Sequence, residues 1–380
     1  MISDALLARV ACPACLEAAG CPRCIRPKAG PDEYAERVGC VCGGPDKVRL
    51  RRDAATLTCP ACSADYAVHE ADGYLDLLPK ASVGEISQYA DHEFHERLAT
   101  REGPPFLSAR VKADMMRNML DPGPGEALID FGCGPGKLAL YASEAGARTA
   151  GLDVAPFFLP RAARDVDLVL GDLRRMPFRK GAYPCAYSLD VLEHLDEPGV
   201  REVLREAQRT IGPGGRLFVY THAMESSRLA SFQRAVNRLA KRLGQRGLID
   251  HETEALRKSD HKNAIKSHEH FDALCAASGL RVVERRYYNV VFKAIVEDLL
   301  LRLYQQSRRK APSAEAAHPE PAPPPSGRSI GAPAPGRAAS LLAGALTWLL
   351  KLDVVLFGGI RTGPFFGLLR PVQPPRTADR

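Results

Sequence analysis

The feature that most constrains this chain is the stretch ALIDFGCGPG, from Ala127 to Gly136. An apolar run of strand length ends on Asp130, Phe131 and then passes through Gly132, Gly134 and Gly136 into KLALYASEAG, whose spacing is helical. Glycines let the backbone turn sharply, and without a Cβ a ligand can come against the main chain. The segment predicts a strand–loop–helix ligand site. The dinucleotide fingerprint needs its third glycine where Lys137 stands, and the phosphate loop needs Gly-Lys-Ser/Thr, so neither is matched.

The alternation continues downstream as ARTAGLDV, DVDLVLGD, CAYSLDVL, an amphipathic VREVLREAQRTI and GRLFVYT. Strands alternating with helices predict an α/β fold, a doubly wound parallel sheet covered on both faces. At about 150 residues per domain, 380 residues suit one large domain and a small module. With 45% hydrophobic and 26% charged residues, the composition excludes wholesale disorder and a multi-span membrane protein. Lys plus Arg less Asp plus Glu is 52 − 45 = +7, which permits nucleic acid or anionic lipid as a partner without demanding either.

Two acids stand where an adenosine needs them. Asp153 ends AGLDV, where a carboxylate can accept from two ribose hydroxyls, and Asp172 in GDLRRMPF can accept from the adenine amine. With these, the sequence resembles the class I S-adenosylmethionine-dependent methyltransferases of the type 11 kind. DFGCGPG is similar to their first motif, Asp153 to their ribose-binding acid and GDLRRMPF to their adenine motif. SLDVLEHL and GPGGRLFVY resemble the next two segments of that family. The resemblance covers about residues 85–300. It implies a seven-strand Rossmann-like sheet with an antiparallel last strand, supplied here by GPFFGLLRP, and S-adenosylmethionine as cofactor. By the same resemblance Asp130, Gly132, Cys133, Gly134 and Gly136 line the cofactor site, joined by Asp153, Val154, Asp172, Leu173 and Leu189. The chemistry implied is displacement at the sulfonium methyl by an oxygen, nitrogen or carbon nucleophile, with the protein positioning both reactants.

On the acceptor side, Asp190, Glu193 and His194 stand at i, i+3 and i+4, which on a helical turn puts them on one face. These are the catalytic candidates. The segment is similar to one in quinone-biosynthesis O-methyltransferases, some of which bind a divalent cation there, whereas in many relatives it serves without metal. His222, His261, His268 and His270 are further candidates for the acceptor pocket, while Cys133 and Cys185 read as buried small residues.

Eight of eleven cysteines lie between Cys12 and Cys62. The N-terminal segment carries Asp4, no basic run and no apolar run of signal-peptide length, so a reducing, cytoplasmic setting is expected, where clustered cysteines are metal ligands. Cys40-x-Cys42 with Cys59-x-x-Cys62 has zinc-ribbon spacing, and Cys12, Cys15, Cys21 and Cys24 predict a second site. The expected ligand content is one or two zinc ions. Residues 40–79 also resemble the small zinc module ahead of some ribosomal RNA guanine methyltransferases.

The expected division is a zinc-ribbon module over 1–80, a methyltransferase domain over 81–310, a Pro/Ala-rich flexible linker over 311–340, and an apolar helix with the last strand over 341–380. Phe292, Ile295, Val296, Leu299, Leu300 and Leu303 predict a long amphipathic helix. SLLAGALTWLLKLDVVLFGGI has the length of a membrane span, but Lys351 and Asp353 oppose one, which leaves a helix packed on the domain or lying at a membrane surface. Such helices suggest a lid over a small, hydrophobic or lipid-like acceptor, or a peripheral membrane contact. Two other functions compete with that one. The first is a ribosomal or transfer RNA base methyltransferase that binds RNA through the ribbon, and the second is a non-catalytic S-adenosylmethionine-binding protein.

Overall fold

The computed structural model describes residues 2–17, 49–53, 55–79, 103–248, 261–304, 306 and 337–372. Cys21, Cys24, Cys40, Cys42, the segment 85–99 and the linker 311–336 lie outside them.

A single sheet of eleven strands runs through the molecule. In chain order these are β1 (Arg51–Asp53), β2 (Thr56–Thr58), β3 (Asp65–His69), β4 (Tyr74–Asp76), β5 (Ala127–Phe131), β6 (Arg148–Asp153), β7 (Asp167–Leu170), β8 (Cys185–Leu189), β9 (Arg216–His222), β10 (Leu280–Tyr287) and β11 (Pro364–Pro371). The spatial order is β1-β2-β3-β4-β7-β6-β5-β8-β9-β11-β10. From β4 to β9 neighbours are parallel, and β11 lies antiparallel between β9 and β10. β5 and β8 are buried along their whole length, as expected of parallel strands covered on both faces.

The helices are α1 (Asp4–Arg9), α2 (Pro13–Glu17), α3 (Leu107–Leu120), α4 (Lys137–Glu144), α5 (Pro160–Asp165), α6 (Glu197–Ile211), α7 (Ala230–Gln245), α8 (His268–Ala277), α9 (Val291–Ile295, running on into a π-helical turn Val296–Leu301) and α10 (Arg337–Phe357). α6 shows how local signals set an element. Asp196 accepts from Gly199 N at 3.0 Å, Pro198 sits in the first turn, and Gly212 ends the helix at φ +70°. Its inner residues Val200, Val203, Leu204 and Ile211 enter the main core with Ile129 and Leu217. α3 covers the opposite face, where Leu107, Val111, Met116 and Leu120 pack with Leu128, Tyr187 and Phe218.

The N-terminal module corrects the expected strand count. Its described strands β1–β4 continue the main sheet at β7, and the sheet has eleven strands where seven were expected, the other seven being β5–β11. Leu75 pairs with Val169 and Leu77 N donates to Leu170 O at 2.9 Å. Gly73 permits this approach at φ +73°, since a Cβ there would stand 2.3 Å from the Ala163 carbonyl oxygen. Leu6, Val10, Leu57 and Leu75 join the same core as Phe131 and Leu152, and Ser3 Oγ donates to Asp167 at 2.7 Å. Without these strands β7 would present an open edge.

The C-terminal helices differ from expectation in detail. The π turn in α9 adds a residue per turn and rotates the end of the helix, so Leu300 is 52% exposed while Val296 is buried. In α10 the two charges set against a membrane span are docking contacts. Lys351 Nζ pairs with Asp114 at 2.6 Å, and buried Asp353 accepts from Phe292 N and Lys293 N at the start of α9. Among the described residues no helix is long and apolar enough to cross a membrane.

Candidate functional site

The glycine loop sits at the C-terminal end of β5, and its glycines differ in what surrounds them. A Cβ on Gly132 (φ +80°) would stand 2.4 Å from Val191 Cγ2, and one on Gly136 (φ +79°) would stand 2.8 Å from Ala162 Cβ. Gly134 (φ +50°) has no atom within 4 Å of that position. The outer two glycines thus serve packing, while the main chain at the middle one is left uncovered. Asp153 Oδ2 accepts from Gly134 N at 2.6 Å, and Oδ1 accepts from Ala155 N at 3.1 Å. Both carboxylate oxygens of Asp153 are thus turned onto the loop and the turn after β6.

Asp130 lies beneath the loop. Burial, with a smaller contribution from the Asp153 charge, pushes its carboxyl up to about 8 against the opposing effect of Tyr187, so it is largely protonated at neutral pH. Cys133 is buried with its thiol held well above the usual range, and its Sγ packs on Gly151. Val154 follows β6, Leu189 ends β8, and Leu173 begins the 3-10 turn after Asp172. Asp172 itself is buried and turned onto Arg174: Oδ1 accepts from Arg174 N at 2.8 Å, and Oδ2 from Nη2 at the same distance. It caps its turn, and an adenine amine would have to share that carboxylate.

The acceptor side departs from the expected helical face. Leu192–His194 is a single 3-10 turn and Asp190 adopts φ +56°, so Asp190, Glu193 and His194 do not gather into one triad. Instead Glu193 is the hub of two. Its carboxylate lies with His194 and His261 on one side and with Asp190 and His222 on the other, ligand atoms of each set falling within 4.8 Å of one another. Glu193 is buried, 3.3 Å from His222 Nδ1 and 3.1 Å from Thr221 Oγ1, which donates to it. Burial alone would raise its carboxyl. The His222 imidazole beside it outweighs that and holds it below the ordinary carboxylate range. The rings of His194 and His261 meet edge to face at 4.6 Å.

Lys112 on α3 pairs with Asp190 and lies 4.2 Å above the Tyr220 ring. Nothing in its sequence surroundings marks it; packing of α3 against β9 brings it in. His268 and His270 belong elsewhere. His268 is buried, its Nε2 2.8 Å from Thr362 O, between Tyr287 and Phe365. His270 Nδ1 accepts from Lys266 N, and Nε2 faces Glu197 at 3.5 Å.

Among the described residues the cysteines group differently from the expected pairing, whose Cys21, Cys24, Cys40 and Cys42 lie outside them. Cys59 and Cys62 face Cys12 and Cys15, with the four Sγ atoms within 4.8 Å of one another. Cys12 and Cys62 are 3.5 Å apart and Cys15 and Cys59 3.7 Å, and all four are free thiols. Sequence proximity favoured Cys40 and Cys42 as partners. The anchoring of Val10 against Phe178, and of Ala11 N on Pro177 O at 2.9 Å, instead carries the first knuckle to the β2–β3 hairpin.

Residues 129–219 match a family described as a methyltransferase domain. Over 101 residues the chain is 30% identical to sterol 4-C-methyltransferase strm-1 of Caenorhabditis elegans, covering 24% of this chain and 30% of that protein. Over 148 residues it is 30% identical to the Bos taurus protein named "Probable tRNA methyltransferase 9B", covering 38% of this chain and 31% of the other. Among solved structures, a phosphoethanolamine N-methyltransferase 2 of Haemonchus contortus in complex with S-adenosyl-L-methionine is similar at TM-score 0.44 and 16% identity, over 76% of this chain and 59% of that one. The chain spans about a third of the length of the curated relatives it matches. The matched segment runs from β5 to β9.

Proposed function

We propose that this chain is an S-adenosylmethionine-dependent methyltransferase acting on a small, hydrophobic or lipid-like acceptor. The observation that carries the cofactor half is the contrast within the glycine loop: two glycines are closed by packing, while Gly134 is open and tied to Asp153. Asp153 would hold the ribose, and the main chain of Gly132 to Gly136 would lie along the methionine part. When bound, the cofactor supplies an activated methyl group.

The protein's own groups then position the acceptor and take its proton. Glu193 is ionised and buried, so it orients and stabilises an imidazolium better than it accepts a proton itself. His222, half-buried at the end of β9, is the base in this reading, and His194 stands on the other side of Glu193. Phe106, whose ring lies 5.9 Å from Lys137 Nζ at the start of α4, and Met224, just past His222, are exposed apolar side chains that would suit such an acceptor. The sterol relative fits such an acceptor. The tRNA relative keeps RNA in view, but the described parts of the N-terminal module, 2–17, 49–53 and 55–79, carry four basic and seven acidic residues, a poor surface for phosphates.

The four thiols of Cys12, Cys15, Cys59 and Cys62 fit zinc. In a tetrahedron with Zn–S of about 2.3 Å the sulfurs stand roughly 3.8 Å apart, close to the two separations here. Burial pushes the Cys12 thiol up to about 11, an unfavourable state for thiolate that a divalent cation reverses. Elemental analysis of protein purified without chelator should find one zinc for this cluster, and none would remove it.

The test of function is incubation of the full chain with methyl-labelled S-adenosylmethionine and extract of its own host, followed by separation of lipid, small-molecule, RNA and protein fractions. Label in the organic fraction supports the reading, and label in RNA overturns the acceptor. Calorimetric cofactor binding with no label anywhere would make the chain a non-catalytic binding protein.

A further inference from the structure

Two surfaces of the helical layer are unlike the rest of the molecule. On α10, Leu341, Ala345, Trp348, Leu352 and Val355 recur at spacings of four and three, the stripe of one helix face. Trp348 is 64% and Val355 75% exposed. The opposite face is fixed to the domain. Thr347 Oγ1 accepts from Leu107 N at 3.0 Å, Leu350 is buried in the core, and Asp353 caps α9. The apolar stripe therefore cannot turn inward without breaking these contacts.

The second surface is α7 with its flanks. From Arg228 to Leu248 there are six basic residues and no acid. Arg234, Arg238, Lys241, Arg242 and Arg246 are exposed, and so are Phe232 and Leu239 among them. α7 and α10 both pack against α9, whose continuation exposes Leu300 and Tyr304, so the two surfaces belong to one layer of helices.

We propose that this layer docks on an anionic membrane surface, with the outer stripe of α10 in the boundary between headgroups and acyl chains and the bases of α7 against acidic headgroups. A helix with one apolar face and charge kept to its other contacts lies in a bilayer interface without spanning it, and Trp is at home there. The charge argues for this occupant over a second copy of the chain. An isologous dimer through this layer would set two acid-free basic helices near each other. The neighbouring segment 311–336 is no better cover, since its only large aliphatic residue is Ile330. The inference stands apart from the methyl-transfer reading, because it concerns a different surface and its test does not measure turnover.

Trp348 is the only tryptophan, which makes it a built-in probe. The full chain is titrated with phosphatidylcholine vesicles, with or without phosphatidylserine, while Trp348 emission is followed. A blue shift is expected with the phosphatidylserine vesicles, and it should fade at high salt. In R238E/R242E, affinity for these vesicles should fall about fivefold per charge removed, and more on reversal. V355D should weaken binding with the probe intact. Melting curves and calorimetric S-adenosylmethionine affinity check that both variants remain folded. No shift with either vesicle, or equal shifts with both, overturns the proposal. So does a blue-shifted, dimeric species by light scattering before any vesicle is added, which would assign the face to a second copy.

Discussion

The cofactor half and the acceptor half of this site are built in opposite ways. The first is made almost wholly from the ends of adjacent parallel strands, by main chain and by two acids at the ends of β6 and β7. The second gathers Lys112 from α3, Glu193 from a 3-10 turn, His222 from β9 and His261 from a distant segment. A site made of backbone is written locally, because glycine positions and strand ends are sequence features. One assembled from side chains of four separate segments is set by how those segments pack.

Substitutions should separate the halves. The largest effect is expected for His222→Ala, which removes the proposed proton acceptor and should lower kcat by roughly 10²–10⁴-fold with cofactor affinity unchanged by calorimetry. A matching loss of cofactor affinity would break the division. Next is Asp153→Ala, which loses the bonds to Gly134 N and Ala155 N as well as the proposed ribose acceptor. It should weaken cofactor binding by about 1.5–3 kcal/mol, and an unchanged affinity would sink the assignment.

The glycines refine the comparison. Gly132→Ala drives a Cβ to within 2.4 Å of Val191 Cγ2, so a loss of about 1–3 kcal/mol of stability is expected in denaturant titration. Gly134→Ala meets no atom within 4 Å, and should cost cofactor affinity with only the smaller penalty of its left-handed backbone.

A pH effect on stability, rather than on binding or turnover, concerns Asp130. Folded, it keeps its proton up to about pH 8, whereas unfolded it loses it near ~3.9. The unfolded state is therefore favoured as pH rises through that window, and wild-type stability falls until the folded carboxyl ionises as well. Asp130→Asn should flatten this fall between pH 5 and 8, and an unchanged slope would show that the buried carboxyl does not titrate as described.

Strand and helix order was legible in the sequence because parallel strands are unbroken apolar runs and α6 carries both of its caps. The glycine loop was legible for the same local reason. The acceptor triad was misread because i, i+3, i+4 spacing assumes an α-helix, while Leu192–His194 makes a single 3-10 turn in which Glu193 faces His222 and His261. The cysteine pairing was misread because knuckle spacing marks metal ligands without saying which knuckle meets which. His268 looked like a pocket candidate beside His270, yet it fills a core position between two aromatic rings.

By itself the sequence determined the alternation of strands and helices, the ligand loop with its two acids, and the presence of clustered thiols, all of which depend on residues close along the chain. Only the tertiary structure decided that the N-terminal module completes the edge at β7, that Cys12 and Cys15 meet Cys59 and Cys62, and that α10 turns Trp348 outward. Each of these rests on contacts between segments separated by dozens to hundreds of residues. Burial, edge pairing and the satisfaction of Asp353 and Lys351 by distant partners select one arrangement there, among many that the same local pattern would allow.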